Sequence, residues 1–139
     1  MEPIVLTYHV DGEDFSMAGE ASSATKKMLK QLGFSPDLIR RVAIAMYEGE
    51  INMVIHAEGG DAKVEITQEM VKIILADRGP GIKDIDLAMQ EGYSTAPEEV
   101  RNLGFGAGMG LPNIKKYSDD LKIDSVPGVG TTLIITINA

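Results

Sequence analysis

A carboxylate stands directly after an apolar run and directly before a glycine-rich segment. Residues 71–76 are mostly branched and apolar, Asp77 follows them, and Gly79 and Gly81 come next. The run predicts a mostly buried strand, and the glycines allow backbone to approach a ligand where a side chain would collide. We therefore predict that Asp77 lies where the end of a strand meets a pocket. The alternative is that Asp77 only caps a tight turn, because Asp, Gly and Pro are common turn residues.

A second pair of polar residues, Glu48 and Asn52, lies within a predicted helix. Ser35 and Pro36 are typical of a helix start, and apolar residues then lie almost all round the helix as far as about Ala57. Residues four apart share one helix face. Burying even a neutral polar group without a partner costs on the order of 2–7 kcal/mol, so we expect this pair to face a wet pocket, a cation or a partner. The alternative is a pair that faces solvent.

The third feature is a run of alternating glycines before a predicted amphipathic helix. The glycines are Gly104, Gly106, Gly108 and Gly110. The helix is expected from Leu111 to about Asp119. Successive backbone amides in such a loop form an anion-binding concavity, to which the helix start adds free amides and its positive end. The alternative is a flexible glycine hinge. The dinucleotide pattern G-x-G-x-x-G fails in every register, and the Gly-Lys-Ser or Gly-Lys-Thr of a P-loop is absent from the sequence.

Composition limits the classes of protein and site. The 139 residues are 44% hydrophobic and 24% charged, which is typical of one globular domain, here residues 1–139. With no cysteine and two distant histidines, thiolate chemistry is excluded, a structural zinc site is disfavoured, and any metal is expected to have oxygen ligands. A net charge of −8 argues against nucleic acid or an anionic membrane and favours a protein or small-molecule partner. No membrane span or export signal is recognisable, so we predict a soluble cytoplasmic protein.

The remaining segments predict a sheet that grows by hairpins. We predict strands at residues 4–10, 62–70, 71–76, 121–126 and 131–137, the last two joined by a Pro127–Gly130 turn. We predict a helix over about residues 15–32 and a short one over residues 83–91, followed by a mobile polar segment at residues 93–99. In the first of these helices, the expected buried stripe is Met17, Ala21, Ala24, Met28 and Leu32.

Four sequence boxes in order resemble the Bergerat-fold ATPases, the superfamily of gyrase, MutL and sensor histidine kinases. They are Glu48-x-x-x-Asn52, Asp77-x-Gly79-x-Gly81, the Gly104–Gly110 run, and Gly130-Thr131-Thr132. Within that superfamily, the small size and the stretches at residues 91–95 and 106–112 resemble bacterial anti-sigma and switch-protein serine kinases. The resemblance covers nearly the whole chain.

The resemblance implies a role for each box. Asp77 would accept a hydrogen bond from the adenine amino group of ATP, while Gly79 and Gly81 admit the purine. Asn52 would bind Mg²⁺, and Glu48 would act as general base one helical turn away. The remaining positions implied to contact nucleotide or support its site are Gly104, Gly106, Gly108, Gly110, Leu111 and Thr132.

Two departures from the family pattern stand out. Gly49 follows the implied base in mid-helix, where glycine costs about 1 kcal/mol relative to alanine, and it is expected to make room for nucleotide or a neighbouring helix. Residues 96–103 lengthen the lid before the glycines. The chain ends at Ala139 without a transducer domain or a phosphoacceptor helix pair, so we expect a stand-alone kinase or switch.

The resemblance therefore implies an α/β (α+β) two-layer sandwich, with a mixed, mostly antiparallel sheet, helices on one face and a mobile ATP lid. The expected activity is MgATP-dependent phosphorylation of serine or threonine on a small antagonist protein. The same surface would bind a sigma factor or a phosphatase, and the first strand and first helix could form a homodimer. Two alternatives are an ATP-dependent binding switch without kinase activity and an interaction domain that does not bind nucleotide.

Overall fold

The computed structural model describes residues 3–11, 19–56, 59–79, 89 and 110–139. Some of the sequence predictions fall wholly or largely outside these ranges. They are the start of the first helix before Gly19, the helix at residues 83–91, the polar segment at 93–99, the 96–103 insertion, and Gly81, Gly104, Gly106 and Gly108.

Within the described ranges, five strands form one sheet. They are β1 (Ile4–Asp11), β2 (Gly59–Ile66), β3 (Met70–Asp77), β4 (Asp120–Val126) and β5 (Gly130–Asn138). Their order across the sheet is β1-β2-β3-β5-β4, which places β3 at the centre. Every strand pairing within the described ranges is antiparallel, so this part of the chain lacks the parallel component that a mixed sheet would have.

The two predicted hairpins are present, with one boundary corrected. The strand predicted to run to Met70 ends at Ile66 instead. Thr67 begins a turn there, because its backbone N–H and its hydroxyl both donate to the Met70 carbonyl, at 3.0 and 3.2 Å. In the second hairpin, Pro127 and Gly128 lie at the turn between β4 and β5, and the Val129 N–H donates to the Val126 carbonyl at 3.0 Å.

In the part of the chain that the structure describes, three helices pack against one face of the sheet. They are α1 (Glu20–Gln31), α2 (Pro36–His56) and α3 (Gly110–Tyr117). As predicted, Ser35 caps α2, since its hydroxyl accepts the Leu38 N–H at 3.2 Å. Every second residue of β2, β3 and β5 is buried with the inner faces of the helices, in one continuous core. This arrangement confirms the two-layer sandwich. No helix within the described ranges is long and apolar enough to cross a bilayer.

The buried face of α1 differs from the predicted stripe. The buried residues are Ala21, Ser22, Thr25 and Leu29, while Ala24 and Leu32 are exposed and Met28 is half-buried. Two hydroxyl residues can be buried here because the Thr25 hydroxyl donates to the Ala21 carbonyl at 2.9 Å and the Ser22 hydroxyl donates to the Gly19 carbonyl at 3.0 Å. An apolar-residue count therefore selects the wrong face.

The N-terminus of α1 is capped by a residue of α2. Glu50 is only 2% exposed, and its carboxylate accepts the backbone N–H groups of Gly19, Ala21 and Ser22 at 2.9, 3.1 and 3.0 Å. These donors are among those that a helix start leaves unpaired, and the negative charge suits the positive end of the helix. No sequence motif pointed to Glu50, although it holds the two longest helices together.

Candidate functional site

The end of β3 is enclosed by close-packed backbone on both sides. Gly60 of β2 is paired with Asp77, and a Cβ atom at Gly60 would lie 2.1 Å from the Ala76 carbonyl oxygen. On the other side, a Cβ atom at Gly130 of β5 would lie 2.2 Å from the Asp77 carbonyl oxygen. Both distances are far inside van der Waals contact. The two glycines therefore let the neighbouring strands close around Asp77 and fix its position.

The carboxylate of Asp77 is held by one of its two oxygens. Its Oδ1 accepts the Gly79 N–H and the Thr131 N–H, each at 3.0 Å. The first bond is the turn-capping contact considered as the alternative role of Asp77. Oδ2 has no hydrogen-bond partner among the described residues, and the side chain is half-buried. Turn capping and ligand binding are thus compatible, since each can use a different oxygen.

Thr131, rather than the predicted Thr132, lies beside Asp77. Thr132 pairs with Ala76 and belongs to the sheet face that the helices leave uncovered. Thr131 is 7% exposed on the covered face, and its hydroxyl pairs with that of Ser125 at 2.9 Å. The period-two alternation of a strand could have shown this, because counting back from buried Leu133 places Thr131 on the covered face.

Gly49 brings α2 over the end of β3. A Cβ atom at Gly49 would lie 2.2 Å from Leu75 Cδ1 and 3.7 Å from Ile114 Cδ1. Leu75 lies two residues before Asp77, and Ile114 is a fully buried residue of α3. The missing side chain therefore makes room for the neighbouring strand and helix. As a result, α2, α3 and the end of β3 meet at one place.

The Glu48 and Asn52 side chains flank this meeting point along α2. Both are half-buried, so neither residue is fully exposed, and the surface that the pair faces stays a prediction. Glu48 Oε1 accepts a hydrogen bond from Asn113 Nδ2 of α3 at 3.4 Å. The Asn52 amide has no hydrogen bond to the residues that the structure describes.

A magnesium ion fits the chemistry of Asn52. Mg²⁺ prefers oxygen ligands and is usually held by one or two protein groups together with waters and phosphate oxygens. The amide oxygen of Asn52 accepts no hydrogen bond from the described residues and shares a helix face with Glu48, which suits that mode of binding. No group of three or more acidic or histidine side chains in the described ranges could hold a metal by itself.

The start of α3 forms the remaining described side of the site. Gly110 is its first residue, so α3 begins where the glycine run ends. Leu111 is half-buried and packs against the core, and Ile114 anchors the helix one turn later. The first-turn N–H groups of α3 therefore belong to a helix whose position is fixed relative to α2.

A separate cleft of about 530 Å³ lies at the other end of α3. Met89, Lys115, Asp119 and Leu121 are among the residues that line it. None of Glu48, Asn52 or Asp77 lines this cleft. The polar residues selected from the sequence therefore define a different site.

Comparison with known proteins identifies a family model, described as a histidine kinase-like ATPase domain, that matches residues 14–137. The serine/threonine-protein kinase RsbT of Bacillus subtilis is 33% identical over 112 residues, which span 78% of this chain and 78% of that protein. An anti-sigma F factor of Clostridium beijerinckii is 32% identical over 121 residues, covering 83% of this chain and 81% of its own.

Two solved structures are similar in fold. One contains the RsbU and RsbW domains of a Mycobacterium tuberculosis protein, with a TM-score of 0.66 and 17% identity. The match covers 96% of this chain and 32% of that one. The other is the SiaB–SiaC complex of Pseudomonas aeruginosa, with a TM-score of 0.64, 13% identity, and coverage of 98% of this chain and 90% of its counterpart. At these identities the matches support the fold alone.

Proposed function

Because the chain belongs to the histidine kinase-like ATPase domain family, we propose that it binds ATP at Asp77 and phosphorylates a serine or threonine of a small antagonist protein. The nucleotide would occupy the space bounded by the end of β3, the Glu48–Asn52 face of α2 and the start of α3. Gly79, Gly81 and the Gly104–Gly110 run would line it, and Leu111 would support it.

The observation that carries this proposal is Asp77 Oδ2, which has no hydrogen-bond partner among the described residues. An ionised carboxylate only accepts hydrogen bonds, and the adenine amino group is a donor. Two backbone N–H groups already bind Oδ1, so the side chain needs no further ordering before Oδ2 accepts a hydrogen bond from adenine. Preorganisation of this kind lowers the entropic cost of binding. Thr131 supports the position of Asp77 through its backbone N–H, and it directly precedes Thr132, the residue that the sequence resemblance implied to support the adenine site.

In the proposed catalytic step, Glu48 accepts the proton of the antagonist hydroxyl. The hydroxyl oxygen of the antagonist forms a bond to the γ-phosphorus of ATP, the bond from that phosphorus to the bridging oxygen breaks, and ADP leaves. The hydroxyl proton passes to Glu48, whose Oε2 makes no hydrogen bond to the described residues. Asn52 would hold Mg²⁺, which when bound neutralises charge on the phosphate oxygens.

The named relatives support the choice of partner. One is a serine/threonine kinase and another is an anti-sigma factor, so the proposed partners are a small antagonist protein and, by the same surface, a sigma factor or phosphatase. A cytoplasmic location and a homodimer through β1 and α1 belong to the same proposal. Direct binding to nucleic acid or a membrane is not part of it.

The test is transfer of labelled γ-phosphoryl from ATP to purified small antagonist proteins of the source organism, followed by mapping of the modified residue. We expect phosphoserine or phosphothreonine on one of them. Glu48→Gln should lower the transfer rate by about 10²–10⁴, the range for loss of a general base, while ATP still binds. Glu20→Gln, an exposed glutamate of α1, is the matched control and should transfer normally.

Two results would contradict the proposal. Unchanged transfer by Glu48→Gln would refute the base assignment. ATP-dependent binding of an antagonist without any transfer by the unmodified protein would establish instead the alternative function, a nucleotide-dependent binding switch.

A further inference from the structure

The Glu48 carboxylate is contacted by a residue that none of the sequence boxes includes. Asn113 Nδ2 donates to Glu48 Oε1 at 3.4 Å, across the contact between α3 and α2. Both side chains are half-buried, and the two residues are 65 positions apart in sequence. Within the described ranges, this is the one hydrogen bond that the Glu48 side chain makes.

The packing beside this contact fixes its geometry. Ile114, the next residue of α3, is fully buried and lies close to Gly49, the next residue of α2. Two adjacent pairs, Ile114 with Gly49 and Asn113 with Glu48, therefore join the helices at one level. Apolar packing holds the two helices together, so the Asn113 amide is held beside the Glu48 carboxylate.

The contact is too long to contribute much to stability. Typical N–H···O distances are about 2.7–3.2 Å, and hydrogen bonds weaken as they lengthen beyond that range. Its effect is instead directional, because a donor on Oε1 favours one side-chain rotamer of Glu48 and leaves Oε2 to accept a proton. A side-chain amide does not accept a proton near neutral pH, so Asn113 itself cannot replace Glu48 as the base.

We propose that Asn113 is a positioning residue for Glu48, a role that rests on the proposed kinase function. Asn113 lies in the first turn of α3, the turn that begins with Gly110 at the end of the glycine run. Asn113 therefore couples the position of the proposed base, Glu48, to the position of Gly110, where the glycine run ends. Loss of the amide should misplace the base without removing it.

The test is a double-mutant cycle on phosphoryl transfer to the antagonist protein identified above. Asn113→Ala should lower kcat by about two- to fivefold, the low end of what one hydrogen bond contributes, with the KM for ATP changed by less than about twofold. Asn113→Asp, which lacks the donor and adds a like charge, should lower kcat further. Asn113→Gln, which keeps the donor, should recover most of the rate.

The decisive comparison is made in the Glu48→Gln background. There Asn113→Ala should have no further effect on kcat, because the base it positions is already gone. Equal fold-losses in both backgrounds, a change in KM alone, or no loss at all would overturn the proposal. Asn138→Ala is the matched control, since the Asn138 side chain is exposed and α2 contacts its backbone carbonyl, through Arg41 Nη2 at 3.0 Å, and the substitution should not alter kcat. Melting temperatures should all lie within about 3 °C of the unmodified protein.

A second readout separates this proposal from the kinase proposal. The side-chain amide resonances of Asn113 in the ¹⁵N–¹H NMR spectrum should shift when Glu48 is changed to Gln, while those of Asn138 stay in place. If no antagonist is phosphorylated but this shift is seen, the kinase function fails and the Asn113–Glu48 pairing stands. If transfer occurs but the Asn113 resonances do not respond, the pairing is refuted and the kinase function stands.

Discussion

At the scale of single residues, Asp77 is defined by what surrounds its backbone. Gly60 and Gly130 let two strands approach the end of β3, and Thr131 completes the hold by donating its N–H to Oδ1. Oδ1 is thus used to fix the side chain, and Oδ2 has no hydrogen-bond partner among the described residues. The sequence predicted that Asp77 lies at the end of a strand, but the different surroundings of its two oxygens required the structure.

A substitution at Gly130 tests whether the close approach of β5 is needed to hold Asp77 in place. In Gly130→Ala the new Cβ meets the Asp77 carbonyl oxygen, which is backbone and cannot swing aside. We expect β5 to move away, the Thr131–Asp77 bond to break, and ATP affinity to fall about tenfold or more, as for loss of a hydrogen bond to a charged group. Isothermal titration calorimetry measures the change.

Gly128→Ala is the control for that prediction. Gly128 has φ +80 but no atom within 4 Å of a Cβ, so alanine there costs about 1 kcal/mol of stability through backbone strain. ATP affinity should not change. Equal affinity losses in the two variants would show that Gly130 acts only through general stability.

At the scale of secondary-structure elements, α2 organises the molecule through three different faces. Glu50 faces α1 and caps it, Gly49 lies against Leu75 of β3, and Glu48 faces α3. Three consecutive residues therefore connect three elements. A helical period makes this possible, because neighbours along the chain point about 100° apart.

Removal of the Glu50 carboxylate should destabilise the fold. Glu50→Ala leaves three backbone N–H groups at the start of α1 without their acceptor, and we expect a loss of about 3 kcal/mol or more in the free energy of unfolding. Urea denaturation measures it. Glu20→Gln, in the exposed first turn of the same helix, should change stability by less than about 0.5 kcal/mol. A similar small change in both variants would refute the capping role.

Gly49 should be coupled energetically to Leu75. Alanine at Gly49 gains about 1 kcal/mol of helix propensity, but its Cβ overlaps Leu75, whose side chain is fully buried, so overpacking costs about 1–3 kcal/mol. We expect a net loss for Gly49→Ala and partial recovery in Gly49→Ala/Leu75→Val, where Cδ1 is absent. Purely additive losses in thermal unfolding would contradict this packing.

At the scale of the whole molecule, the described residues form a five-stranded antiparallel sheet that supports three helices, and the proposed site lies where the central strand ends beneath α2 and α3. Alternating and continuous apolar patterns predicted the strands, and the Glu48–Asn52 spacing predicted a shared helix face. These features depend on local periodicity, which a sequence shows directly.

Other features escaped prediction because they depend on contacts between distant segments. The stripe chosen for α1 counted apolar residues, whereas Ser22 and Thr25 are buried with their hydroxyls bonded to their own helix. The role of Glu50 requires knowing that α1 begins beside it. The resemblance pointed to Thr132 in the last box, whereas the hydrogen bond to Asp77 is made by Thr131, on the covered face of β5.

We propose that Asp77 binds the adenine of ATP, and the first measurement should be calorimetric titration. The protein and its Asp77→Asn variant are each titrated with ATP and with ADP, with and without Mg²⁺. We predict saturable, Mg²⁺-strengthened ATP binding that Asp77→Asn weakens by about tenfold or more, since an amide presents a donor to a donor. Asn113 and Thr132 variants should bind ATP normally. Equal affinity of the Asp77→Asn variant for ATP, or no binding by the unmodified protein, would contradict the account.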